Sequence, residues 1–279
     1  MSVIGAIAPQ LERAEIARAQ RKPTENLQAY DYYLRALANI YRFTRETNME
    51  ALKLTQMANN LDPDFAAPYA QGANCLLQRW AFGWSSGAED VTEARRLARQ
   101  ATQLDKDHPA VLAVAGAVLA IFVGEVAEGA TLLARAISLD PNLAVARIWN
   151  GYVQLRLGDG HAAIEQFQIG LRMSPLDPRI YLAQNGIAAA YFILGRYQDG
   201  FLWAKNAVQE NPNFVLAHIH MTVGHAMAGR IEEARQAWMI ARQINPNLNI
   251  STVRNRWRFT RSKDFQFYEE ALRIAGVPE

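Results

Sequence analysis

A turn-like punctuation of Asp, Asn or Ser followed by Pro recurs along this 279-residue chain after helix-like stretches. Its two cleanest intervals, Pro141 to Pro175 and Pro212 to Pro246, are both 34 residues. A constant period of this length marks a repeat array. The same mark gives 43 residues from Pro63 to Lys106, 35 from Lys106 to Pro141 and 37 from Pro175 to Pro212, so the register survives with insertions. Such an array works by presenting a surface, and its period does not say to what.

The residues between the marks decide which repeat it is. From Ala144 the pattern runs Gly151, Gly158, Ala163, Phe167, Gly170, Pro175; from Val215 it runs His218, Met221, Thr222, His225, Gly229, Ala234, Trp238, Ala241, Pro246. This resembles the tetratricopeptide repeat, two antiparallel helices in about 34 residues. Two helices approach closely only where side chains are small, which pairs Gly151 with Ala163 and Thr222 with Ala234. Gly158 and Gly229 stand where the first helix must end, and glycine takes the left-handed cap at little steric cost. Proline at 63, 141, 175, 212 and 246 fixes φ and withholds a donor, ending the second helix. The pattern predicts an all-α, right-handed α-solenoid of about six hairpins, at about residues 27–63, 66–106, 109–141, 144–175, 178–212 and 215–246. An amphipathic helix over 1–22, striped by Ile4, Ile7, Leu11, Ile16 and Ala19, precedes them. Capping helices at 251–261 and 264–275, within 249–279, follow.

Composition agrees. The chain is 50% hydrophobic and 20% charged, and 29 Lys and Arg against 27 Asp and Glu leave a net charge of +2. That near-neutral balance gives no general reason to expect nucleic acid or an anionic membrane as partner. A single cysteine, Cys75, excludes an intrachain disulfide and a cysteine-based zinc cluster. Met1 to Pro9 has no basic region and too short an apolar run for a secretory signal. The uncharged run PAVLAVAGAVLAIFVG, residues 109–124, is shorter than the roughly 20 residues of a span. It reads as the buried first helix of the third repeat. A cytoplasmic location is the default expectation, with the periplasm open if this is a fragment of a longer membrane-anchored protein.

A closer likeness rests on the opening VIGAIAPQLERAEIARAQRKPTENLQAYDYYLRALANIYRFTRETNMEAL, the repeats after it and the terminus YEEALRIAGVPE. These are similar to the C-terminal region of bacterial class III adenylate/guanylate cyclase-family proteins of the rhizobial type. In that family a cyclase or winged-helix regulatory domain, a membrane segment and a small α/β region typically precede such repeats. No residue here corresponds to a cyclase's metal-binding aspartates, so the resemblance implies a sensory or interaction module and carries no catalytic role.

Candidate partner-binding residues follow from the repeat geometry. The inner wall of such a superhelix comes from first-helix offsets 2, 5, 9, 12 and 13. These are Val145, Ile148, Tyr152, Leu155 and Arg156 in repeat four, Leu216, Ile219, Val223, Ala226 and Met227 in repeat six, and Ala110, Ala113, Ala117, Ala120 and Ile121 in repeat three. This wall is apolar. Repeat domains that hold a terminal carboxylate place Lys, Arg and Asn there, because an anion needs charge-assisted donors. An apolar wall instead suits a partner helix or peptide, or is filled by the chain's own N-terminal helix or by tight curvature. The insertion in repeat two is placed at WAFGWSSGAED, residues 80–90, where Trp80, Phe82 and Trp84 either form a binding loop or fold back onto their hairpin.

Other chemistry-bearing residues read as structural. His218 and His225 sit two turns apart on one helix face, too far for one ion, and His220 points elsewhere, so no metal is expected. Cys75 has no cation or His within its own helix to lower its pKa and reads as buried. In VRNRWRFTRSK, residues 253–263, Arg254, Arg258 and Arg261 share one face while Trp257 turns inward, which reads as a solvated cap before a nucleic-acid or acidic-protein site. No catalytic constellation and no cofactor motif is present. Two functions remain open: a non-catalytic interaction scaffold, and the regulatory arm of a cyclase-type signalling enzyme.

Overall fold

A computed structural model describes residues 28–84, 87–257 and 263–279. The N-terminal amphipathic helix expected over 1–22 lies outside the described residues. The fold is all-α, a solenoid of helical hairpins. Its helices are α1 (Ala29–Ile40), α2 (Arg45–Leu61), α3 (Ala66–Phe82), α4 (Ala88–Leu104), α5 (Pro109–Ala117), α6 (Val126–Leu139), α7 (Ala144–Leu157), α8 (Gly160–Met173), α9 (Ile180–Ile193), α10 (Tyr197–Glu210), α11 (Val215–Met227), α12 (Ile231–Ile244), α13 (Ile250–Trp257) and α14 (Lys263–Ile274). The chain forms two compact units. One holds the described residues up to Trp80, then Trp84–Asn150 and Arg172–Asp177; the other holds Ala81–Gly83, Gly151–Leu171 and Pro178–Glu279.

The punctuation that sets the period acts through one side chain. At the end of α2, α4, α6, α10 and α12 the next residue, Asp62, Asp105, Asp140, Asn211 or Asn245, leaves the helix in an extended conformation. Its Oδ1 accepts the N–H two residues on, from Asp64, Asp107, Asn142, Asn213 or Asn247, at 3.0–3.2 Å. This side-chain turn replaces the backbone bond that a continuing helix would supply. Lys106 stands where four of the five linkers have proline, and the turn forms there too. The first helices α7 and α11 end instead on left-handed glycine, with φ of +79° at Gly158 and +74° at Gly229, whereas α1 ends at Tyr41 in the right-handed conformation.

In the first unit Leu34, Leu37 and Ile40 of α1 pack with Ala51 of α2 and Cys75 of α3. The apolar run at 109–124 is a buried first helix. His108 caps α5 by accepting the Val111 N–H on Nδ1, Pro109 stands in the first turn, and residues 111–123 are all buried. From Val118 to Val123 the helix widens into a π-helical segment, ended by Gly124 at φ +95°. Gly116 of α5 and Gly129 of α6 cross back to back. A Cβ on Gly129 would lie 2.4 Å from the Gly116 carbonyl and 2.6 Å from Ala120 Cβ. Arg95 and Arg99 of α4 reach Glu125, and Arg99 also reaches Glu128, at 2.9–3.0 Å. Both carboxylates stand at the start of α6, where its dipole favours negative charge. Among the described residues no helix is long and apolar enough to cross a membrane.

In the second unit four glycines, Gly151, Gly186, Gly200 and Gly224, face an aromatic ring rather than another small residue. A Cβ on Gly151 would meet the Phe167 ring at 2.7 Å, not Ala163 as the sequence suggested, and one on Gly186 of α9 would meet the same ring at 2.1 Å. Phe167, fully buried on α8, is wedged between two first helices. Gly200 against Phe192 and Gly224 against Phe201 repeat the arrangement, each at 2.8 Å. At the C-terminal end α14 packs on α11 and α13. The Pro278 carbonyl accepts the Ile250 N–H at 2.9 Å, so the last described residues cap α13.

The rings and backbone facing Gly129 and Gly186 cannot move aside as a flexible side-chain end would. Gly129→Ala and Gly186→Ala are each expected to lower unfolding stability by about 2–3 kcal/mol through overpacking. Gly87→Ala, with nothing within 4 Å of the added methyl, is expected to stay within about 0.5 kcal/mol. Urea denaturation followed by circular dichroism measures all three.

Candidate interaction surfaces

The expected inner-wall residues divide by exposure. In the second unit Leu155, Arg156, Ile219, Val223 and Ala226 are buried, and Tyr152, Leu216 and Met227 are half-buried. In the first unit Ile148, Ala113, Ala117, Ala120 and Ile121 are buried, while Val145 and Ala110 keep part of their surface. The wall at α5, α7 and α11 is therefore interior at most of its positions. The second helices, by contrast, are buried along one stripe: α12 buries Ala234, Ala237, Trp238 and Ala241 and exposes Met239 and Ile240.

The aromatic insertion is a helix end rather than a loop. α3 continues through Phe82, Gly83 closes it at φ +78°, and α4 begins at Ala88. α3 and α4 run 17 residues each, where α7 to α10 run 14, so the extra length of repeat two went largely into its helices. Trp80 is half-buried, with its ring 5.7 Å from Phe122. Phe82 is buried, 5.4 Å from Phe214, which in turn meets Tyr181 edge-on at 4.9 Å. Trp84 keeps part of its surface.

A polar group crosses the apolar interior of the second unit. The Tyr152 hydroxyl donates to the Leu182 carbonyl at 2.7 Å and lies beside Asn185. Asn185 Oδ1 meets His220 Nδ1 at 2.8 Å. Desolvation pushes the Tyr152 phenol well above its usual range and the His220 imidazole down to about 3, so both stay neutral. His218, lowered chiefly by burial, bonds the Pro212 carbonyl through Nε2 at 2.7 Å. His225 accepts from Arg230 Nε on Nδ1 at 3.0 Å, and the guanidinium lies 4.9 Å over the Phe201 ring. Burial first and Arg230 second hold His225 below its ordinary value. Each ring thus has its own partner, and among the described residues no group of three or more His, Cys, Asp or Glu is placed to hold a metal. The Asn185–His220 pair was invisible in the sequence because its members are 35 residues apart and neither belongs to a motif.

Cys75 is fully buried, and desolvation raises its thiol to about 12. Of the basic segment at 253–263, Arg254 is ion-paired with Glu269 of α14, while residues 258–262, with Arg258 and Arg261, lie outside the described residues.

No family model matches the chain. The transcriptional regulator HilA of Salmonella typhimurium is 27% identical over 143 residues, 51% of this chain and 26% of that protein. The putative adenylate cyclase 3 of Rhizobium meliloti is 26% identical over 109 residues, 39% of this chain and 19% of that protein. The chain thus matches about a quarter or less of the length of these relatives. Among solved structures, a monomeric IFIT1 mutant with m7Gppp-AAAA aligns with a TM-score of 0.69 at 14% identity, over 97% of this chain and 64% of that one. Cut9, in the Cut9–Hcn1 hetero-tetramer of the APC/C, aligns at 0.62 and 15% identity, over 94% and 46%. Cut9 is a tetratricopeptide-repeat protein, and the likeness establishes that fold for this chain.

A thiol so buried and so weakly acidic reacts only after the helices around it open. Under native conditions at pH 8 a disulfide reagent is expected to leave Cys75 unmodified for hours and to modify it within minutes in denaturant, as read by the released chromophore.

Proposed function

We propose that this chain is a non-catalytic protein-interaction module that takes a partner helix or peptide against its first helices. The observation that supports it is the array itself. Successive hairpins bury their apolar faces against neighbours, and the half-buried side chains of first helices are left partly accessible. In the second unit these include Tyr152, Leu216 and Met227; in the first, Val145 and the insertion residues Trp80 and Trp84. The buried members of the same set, Ile148, Leu155, Arg156, Ile219, Val223 and Phe82, support those surfaces from beneath. A helix laid on such a surface is read at i, i+3, i+4 and i+7 by apolar contacts.

A second reading, the regulatory arm of a cyclase-type or transcriptional signalling protein, draws on the two curated relatives. Each matches over a minority of its own length, so in both the matching segment is part of a longer protein. The two readings are compatible, since such an arm acts through protein contacts.

Photo-crosslinking separates an inner from an outer binding face. A photoreactive amino acid at Leu216, Met227 or Trp84 in the source cells is expected to give a discrete higher-mass adduct. The same group at Met239, 56% exposed on a second helix, is expected to give none. An adduct of equal yield at Met239, or none at any of the four, overturns the proposal.

A further inference from the structure

The turn between α11 and α12 is fastened by one side chain. Arg230, the residue before α12, donates its backbone N–H to the His225 carbonyl at 3.0 Å and its Nε–H to His225 Nδ1, also at 3.0 Å. Its guanidinium lies over the Phe201 ring of α10, and that ring meets the His225 ring edge-on at 4.7 Å. Arg230 therefore joins α10, α11 and α12 at one point. One repeat earlier, Arg196 donates its backbone N–H to the Tyr191 carbonyl at 2.9 Å and lies 4.6 Å over the Tyr191 ring. The backbone arrangement recurs, with tyrosine where the later turn has histidine.

A guanidinium has donors only, so the Nδ1 that receives it carries the ring's lone pair and the ring proton sits on Nε2. A proton added to Nδ1 removes that acceptor. It also sets an imidazolium against a guanidinium, and like charges repel. The Arg230–His225 bond cannot outlast the neutral ring.

Another partner stands close by. α11 packs on α9, α10, α12 and α14. α9 carries no acidic or basic residue. α14 meets α11 at His220, and five residues of helix turn that position about 140° away from His225. On α10, Asp199 pairs with Arg196, while Lys205 and Glu210 are exposed. On α12, Glu232 pairs with Arg235 and Arg242 is exposed, which leaves Glu233, exposed in the first turn, as the acid that acts on His225. On α11 itself, His218 is held by the Pro212 carbonyl and His220 is buried beside Asn185.

We propose that His225 is a pH-operated latch: the neutral ring holds Arg230 against Phe201, and the protonated ring releases Arg230 and takes Glu233 instead. Release unfastens the start of α12 from α10 and bares the ring face that the guanidinium covers. The fastened turn begins at Met227, so the latch also sets how firmly that side chain is held; this consequence rests on the interaction reading above, whereas the latch itself does not.

Burial first and Arg230 second hold His225 below its ordinary 6.5, with Glu233 opposing them. A depressed histidine contributes its stability above 6.5 and loses it as pH falls through the folded value, so the latch is closed at neutral pH and opens in acid.

Nuclear magnetic resonance of the whole chain from pH 8 to 4.5, following the arginine Nε–H signals together with the histidine rings, tests this. The Arg230 Nε–H is expected to shift and lose its protection from solvent at the same midpoint as the His225 ring, below pH 6.5, while Arg196 shows no step there. Arg230→Met is expected to raise the His225 midpoint by about 0.5–1 pH unit, and Glu233→Gln to lower it by a similar amount. A His225 that stays neutral to pH 4.5, an Arg230 signal unmoved while His225 titrates, a step shared by Arg196, or a His225 midpoint unchanged in Arg230→Met each overturns the proposal. Should either variant fail to fold, the paired wild-type titrations of His225, Arg230 and Arg196 decide between the outcomes.

Discussion

The structure depends on how closely two helices can come before side chains collide. In the first unit Gly116 and Gly129 let backbone meet backbone, and in the second Gly151 and Gly186 admit the Phe167 ring from both sides. A fully buried phenyl ring makes tens of dispersion contacts, each worth little alone, and a gap of even half an ångström forfeits a good part of them. Glycine and ring therefore act as one packing element between neighbouring helices of the second unit. The distribution of burial, with α5 and α11 covered along most of their length, follows from that packing.

Much of this was legible in the chain because it lies in local chemistry. Asp or Asn before a proline, glycine at the helix end and a period near 34 residues each depend on a few neighbouring residues, and they identify an all-α hairpin array. The apolar run at 109–124 read as a buried helix because sixteen uncharged residues are too few to span a bilayer. What escaped depends on contacts between distant positions. Small residues spaced along two helices suggest that they face each other, but only the packed structure shows that Gly151 opposes Phe167, one turn past Ala163. The extra residues of repeat two read as a loop, since insertion and loop look alike in one sequence. They lengthen α3 and α4 instead, carrying Phe82 into an aromatic contact.

The polar groups buried within this array bear on what its surface is for. His220, Asn185 and Tyr152 are drawn from three successive first helices, so an apolar interior carries hydrogen bonds whose partners must be in register. Mispairing of hairpins by one residue would strand them without partners, and a stranded buried polar group costs more than a satisfied one contributes. An interior that fixes its own register holds the half-buried residues Leu216 and Met227 in place along α11.

The side-chain turns at Asp62, Asp105, Asp140, Asn211 and Asn245 have a genetic corollary. Each joins consecutive helices through a single residue and a backbone N–H two places on, so these five junctions share one chemistry whatever helices flank them, while the junction after α8 is closed instead by the Asp177 N–H donating to the Ser174 carbonyl. A tandem duplication or deletion with both endpoints at such residues would splice one helix end to another helix start and leave the turn intact. A chain spliced at these residues would gain or lose whole hairpins with its remaining turns unchanged.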